Sequence, residues 1–179
     1  PGFRIPNLHL FYFWQYCVED PNCFGIVEVT RRRDGKSYRA ACIQYEATSR
    51  TKRKHSGIQS KDEESAQTFF DVHIVQPFTE LELMFKPTID TDKGDMPKKV
   101  LRMFKSSSKT ASLAVRDKNR KKKDLRSKID YRASGEKLYD GKKMLVYVRD
   151  EAGKIEKANV YEGHNVIKWC LSDEEDIIG

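Results

Sequence analysis

The stretch Cys23–Thr48, CFGIVEVTRRRDGKSYRAACIQYEAT, decides how this chain reads. Phe24, Ile26, Val27 and Val29 are the apolar members of a strand over Cys23–Arg31. Asp34-Gly35 is a tight-turn dipeptide, and Ser37–Thr48 returns as a second strand. Two extended runs joined by Asp-Gly are the pattern of a β-hairpin.

Alternation continues outward in both directions. His9–Tyr16 (HLFYFWQY) puts Phe11, Phe13 and Gln15 on one side and Tyr12, Trp14 and Tyr16 on the other, as in a strand buried on both faces. Ser49–Gln67 loses every large apolar residue except Ile58 and reads as a solvated loop. Strand signals resume at Thr68–Gln76 and Glu80–Lys86, bracketed by Pro77 and Pro87. Pro97–Ser106 (PKKVLRMFKS) is the one short helix, with proline at its start. Ala111–Arg116 and Leu125–Ala133 flank a basic turn and form a further hairpin. Lys137–Tyr139, Lys143–Arg149, Lys154–Tyr161 and Val166–Leu171 complete the strands, and Ser172–Asp176 begins an acidic tail or a short capped helix. The expected fold is therefore mainly β: an antiparallel sandwich or partly open barrel of about nine or ten strands, with one short helix and long charged loops. Residues 1–179 read as a single β-rich domain. The alternative is a two-lobed division at the polar connection 87–97, into 1–87 and 98–179.

Charge is the main clue to function. Lys98–Lys128 holds thirteen Lys or Arg against two Asp, and Arg31–Lys54 holds nine against two acids. The remaining residues carry twelve basic and twenty-three acidic side chains, so the total of +7 is a difference between basic segments and an acidic remainder. Such a split is the footprint of a protein that meets a polyanion. The turn Arg116, Lys118, Arg120, Lys121, Lys122 and Lys123 would form a hairpin tip able to enter a groove and neutralise phosphates. Lysine outnumbers arginine there, which favours backbone contact over base reading. Arg31, Arg32, Arg33, Lys36 and Arg39 surround the Asp-Gly turn, Arg53 and Lys54 open the long loop, and Lys98, Lys99, Arg102 and Arg126 border the second basic window. These are the candidate nucleic-acid-binding residues.

Catalytic patterns are missing. The sequence has no HExxH, GxSxG, P-loop or glycine-rich dinucleotide turn, and its four histidines lie in unrelated contexts. Its four cysteines form no CxxC pair, so neither a metal nor another cofactor is expected. No apolar run reaches the roughly 18–20 residues that cross a bilayer. The chain is thus expected to be a non-enzymatic nucleic-acid- or chromatin-binding domain of the nucleus, with the cytoplasm as the other compartment. The alternative is a protein-interaction module that uses an edge strand or apolar patch, its basic runs serving import or solubility. A pocket gathering histidine and carboxylates from distant segments would argue instead for enzyme activity.

Overall fold

The computed structural model describes residues 5–31, 33–82, 85, 97–103, 126–135, 137–155, 159–173 and 176–177. At its centre is β1 (His55–Gln59), buried along its whole length. It pairs in parallel with β3 (Ser127–Arg132) on one side and with β4 (Tyr147–Arg149) on the other. β3 then pairs antiparallel with β2 (Val100–Met103), giving an open mixed sheet of order β2-β3-β1-β4. The sheet joins a strand from before the polar connection 87–97 to three from after it.

Both faces of β1 are covered, by different means. Ser56 and Ile58 face the helices: Ile58 packs with Ile129, Leu101, Met103 and Tyr131 of the sheet and with Ala66, Phe69, Phe70, Ile74 and Phe78. On the opposite face Gly57 admits two large side chains. A Cβ there would lie 2.5 Å from Met144 Cε and 2.6 Å from Tyr139 Cζ. Tyr139 and Met144 belong to a second apolar cluster with Ile167 and Cys170 of helix α5 (Val160–Leu171).

A parallel β1–β3 pair needs a crossover connection, and helix supplies it. α3 (Glu63–Phe69) runs through a π-helical turn (Phe70–Val75) into α4 (Gln76–Glu80) without a break. Ala66, Phe70, Ile74 and Phe78 recur every four residues and bury one face of this rod. Asp62 caps its start by accepting a hydrogen bond from Ser65 N at 2.7 Å. α2 (Lys36–Arg50) buries Ala41, Gln44 and Thr48, a narrow stripe of small and polar residues. Gln44 Nε2 donates to the Gly57 carbonyl at 2.9 Å, and Thr48 Oγ1 lies 2.6 Å from Ser56 Oγ. Polar groups therefore dock α2 onto β1 in the place where an apolar face would usually do so.

The mainly β expectation, sandwich or barrel, is overturned. His9–Tyr16 lies within helix α1 (Ile5–Glu19), Ser37–Thr48 within α2, Thr68–Gln76 within the α3–α4 rod, and Val166–Leu171 within α5. Cys23–Arg31 has no regular structure, so no hairpin forms around Asp34-Gly35. Gly35, at φ 80°, instead starts α2. The short helix expected at Pro97–Ser106 is strand β2 over Val100–Met103, and Lys137–Tyr139 is a turn. Lys154 ends a short 3-10 turn (Ala152–Lys154) and Tyr161 lies in α5, so both ends of the strand expected over Lys154–Tyr161 are helical. Leu125–Ala133 does contain a strand, β3, and Lys143–Arg149 contains the short β4. The segment Ala111–Asp124 lies outside the described residues. A small antiparallel pair, β5 (Ser172–Asp173) with β6 (Asp176–Ile177), replaces the expected acidic tail or capped helix. No helix among the described residues is long and apolar enough to cross a membrane.

The crowding at Gly57 gives a direct test of this packing. Gly57→Ala is expected to lower unfolding stability by about 3 kcal/mol in urea titration, because a methyl group overpacks the sheet face. Gly153→Ala, where nothing lies within 4 Å, is expected to change it little.

Candidate functional site

Parallel strands β1, β3 and β4 point the same way, so the sheet has an amino edge and a carboxyl edge. The two edges differ in charge. At the amino edge, Lys52–Lys54 precede β1 and Arg126–Lys128 begin β3. Lys128 N donates to the Lys54 carbonyl at 3.0 Å, and Lys54 N donates to Ser127 Oγ at 3.2 Å. Ser127 Oγ in turn donates to the Thr51 carbonyl. Two segments more than seventy residues apart are thereby locked side by side. Among the described residues, no ion pair engages Lys52, Arg53, Lys54, Arg126 or Lys128. Arg53 and Arg126 are exposed and adopt left-handed backbone, at φ 58° and 53°. That conformation costs an L-residue roughly 1–2 kcal/mol, and such strain gathers at functional sites.

The carboxyl edge is acidic. A cavity of about 420 Å³ opens there, lined by Ser60, Lys61, Asp62, Glu64, His73, Asp150 and Glu151 among others. Its residues come from the end of β1, the start of α3, the π-helical turn and the turn after β4. The hydrogen bond from Ser65 N, first among the causes, holds the Asp62 carboxyl below its usual value. A hydrogen bond from Lys154 does the same for Glu151. Burial lowers the pKa of His73. A second cavity of about 390 Å³, lined by Glu63, Lys99, Asp130 and Arg132 among others, lies across the α3 start.

Between the edges lies a buried polar cluster. Tyr139 OH donates to Asp130 Oδ1 at 3.0 Å. His55 Nε2 stands 2.9 Å from the same oxygen. Burial acts to raise the Asp130 carboxyl, but His55, Tyr139 and Lys128 together outweigh it and hold the group below its ordinary value. Burial and the adjoining carboxylate push the Tyr139 phenol upward. Arg132 and Lys142 approach the Tyr139 ring at 4.9 and 5.8 Å. Nearer the carboxyl edge, Tyr147 OH donates to Gln59 Oε1, and Arg149 Nε donates to Tyr147 OH at 2.9 Å. Among the described residues, no three His, Cys, Asp or Glu side chains converge to hold a metal ion.

The sequence-derived candidates are dispersed by this geometry. Arg53, Lys54 and Arg126 meet at the amino edge, and Arg102 pairs in register with Lys128 beside them. Arg31 and Arg33 are exposed before α2. Lys36 Nζ lies 4.0 Å from Asp150, which places the start of α2 at the carboxyl edge. The fifteen residues of α2 then carry the chain about 22 Å toward the other edge. The first basic window is thus divided between the two poles. Arg39 is buried, with 5% of its side chain exposed, and is tied to Glu28, Asp34 and Asn7; it anchors the fold. Lys98 is exposed, and Lys99 pairs with Glu63 at 3.3 Å. Arg32, Arg116, Lys118, Arg120, Lys121, Lys122 and Lys123 lie outside the described residues.

Lys52 and Lys128 lie within the two basic windows read from the sequence, whereas sequence reasoning missed Ser60, His73, Asp150 and the His55–Asp130–Tyr139 cluster. The cavity residues carry no local motif, since they come together only through the crossover. No protein family, curated protein or solved structure matches the chain. Geometry and charge alone bear on what the chain does.

The buried cluster sets an acid limit on stability. The ordinary carboxyl value is 3.8, and the folded value of Asp130 lies below it. Its contribution is therefore complete above about pH 4 and is lost as pH falls through the folded value. Asp130→Asn is expected to cost about 2 kcal/mol at pH 7 by leaving Tyr139 and His55 poorly paired. It is also expected to lose less stability than the parent between pH 5 and pH 2, measured by thermal melts across that range.

Proposed function

We propose that this domain binds nucleic acid through the amino edge of its sheet, by phosphate contact. The observation that carries the reading is the hydrogen-bonded junction of Lys54 with Ser127 and Lys128, which gathers parts of both basic windows onto one edge. Met103 and Arg126, the described residues on either side of 104–125, stand at the same edge. The carboxylates of Asp62, Glu64, Asp150 and Glu151 stand at the other edge, so a polyanion would be attracted at one pole and repelled at the other. A nuclear location follows from this reading as part of the proposal.

A second reading is favoured by α1. Tyr12, Phe13 and Tyr16 are 68%, 51% and 66% exposed, an apolar surface of the kind that meets protein partners. Asn7 of α1 accepts a hydrogen bond from Arg39 near the start of α2. In that reading the domain is a protein-interaction module and the basic segments serve import or solubility.

Salt titration and two variants separate these readings. With five phosphate contacts, the logarithm of duplex affinity is expected to fall with the logarithm of salt at a slope of about −4.5. Replacing Arg53, Lys54 and Arg126 together by Gln is expected to flatten that slope to about −2 with an unchanged melting temperature. Replacing Tyr12, Phe13 and Tyr16 by Ser is expected to leave affinity intact. Equal affinity for parent and charge-neutralised variant would remove the amino edge from the account.

A further inference from the structure

We infer that the carboxyl-edge cavity binds an organic cation carrying a primary ammonium or guanidinium group. Four carboxylates, those of Asp62, Glu64, Asp150 and Glu151, line it against the single ammonium of Lys61. An anionic ligand would meet net repulsion there.

The second observation is independent of charge. Ser60 is completely buried, its Oγ has no hydrogen-bond partner, and the residue lines the cavity. Strand alternation from Ser56 and Ile58 puts its side chain on the helix-covered face, the side from which Phe69 and His73 enter the same cavity. An unsatisfied buried hydroxyl costs about 1–3 kcal/mol, so a site that retains one has use for it. Nδ1 of His73 is likewise buried without a partner. The rings of Tyr38 and Phe69 meet the imidazole edge-on at 4.3 and 5.1 Å and fix its plane. Burial favours the neutral imidazole, which has an acceptor nitrogen. Ser60 Oγ, His73 and the carboxylates together make a set of acceptors suited to a group that only donates.

The internal cations leave this set incompletely satisfied. Lys61 Nζ lies 3.8 Å from Asp62 and 3.7 Å from Glu151, and Lys36 Nζ lies 4.0 Å from Asp150. These separations exceed hydrogen-bond length. Lys154 alone is close, at 2.6 Å from Glu151. The acids are also too spread to form a metal site, since no three ligating side chains converge among the described residues. A spread of acceptors around about 420 Å³ fits an extended cation with several N–H donors. Its source could be a free polyamine or a lysine or arginine side chain of a peptide, the recognised chemistry being the same.

The test is calorimetric titration of the whole chain, free of nucleic acid, with spermidine, with Nα-acetyl-lysine methylamide and with inorganic phosphate. Saturable one-to-one binding of either cation is expected, and the stronger of the two identifies the source. Asp150→Asn with Glu151→Gln is expected to weaken it at least tenfold. Ser60→Ala is expected to weaken it about fivefold while the melting temperature holds or rises, because the substitution removes an unsatisfied hydroxyl. A purely structural serine would instead lower the melting temperature and leave affinity alone. Absence of saturable cation binding, binding indifferent to Ser60→Ala, or preference for phosphate would each overturn the assignment. The amino-edge reading is untouched by any of these results, since duplex affinity is measured separately.

Discussion

Parallel pairing of β1 with strands on both sides is the constraint from which the rest of the molecule follows. A five-residue strand can hold that position only if both faces are filled closely, and Gly57 makes this possible by letting Tyr139 and Met144 reach the backbone. The flanking residues across β1 are Asp130 on one side and Tyr147 on the other. The strand is mostly polar, yet each polar group has a task. Gln44 bonds the Gly57 carbonyl, Thr48 meets Ser56, His55 approaches Asp130, and Gln59 accepts from Tyr147. Specific bonds therefore do much of the docking that an apolar surface does elsewhere.

The same pairing polarises the charge. Since β1, β3 and β4 run in one direction, the residues immediately before them stand at one edge and those immediately after them at the other. Basic residues precede β1 and β3; acidic residues follow β1 and β4. The sorting of cations from carboxylates is thus a product of strand direction acting on local composition. It leaves one edge rich in cations and the opposite edge rich in carboxylates, which is the asymmetry both proposals rest on.

Part of this was legible in the sequence. The separation of basic segments from an acidic remainder was plain, and Arg53, Lys54 and Arg126 did reach a common edge. Strand β3 was also readable, because Ser127, Ile129 and Tyr131 alternate with Lys128, Asp130 and Arg132. The helices were misread for identifiable reasons. α1 is apolar around most of its circumference, so no helical stripe stands out against the alternation of its aromatics. Phe70, Val72 and Ile74 mimic a strand, and the true repeat of Ala66, Phe70, Ile74 and Phe78 shows only when counted through Pro77. That proline sits in the first turn of α4, directly after the π-helical turn, where its missing N–H is tolerated. β1 was unreadable, since a strand filled by side chains from elsewhere need not be apolar itself. Arg39 illustrates the limit of charge counting: the guanidinium is spent on Glu28 and Asp34 inside the fold.

The central claim is that strand direction creates a cationic amino edge that meets nucleic acid. Backbone amide shift mapping during titration with a short DNA duplex tests it most directly. The account expects the largest shifts at Lys52, Arg53, Lys54, Arg126, Ser127 and Lys128, with Lys61–Glu64 and Asp150–Glu151 unmoved. Shifts centred on the carboxyl edge, or scattered evenly over both, would contradict it.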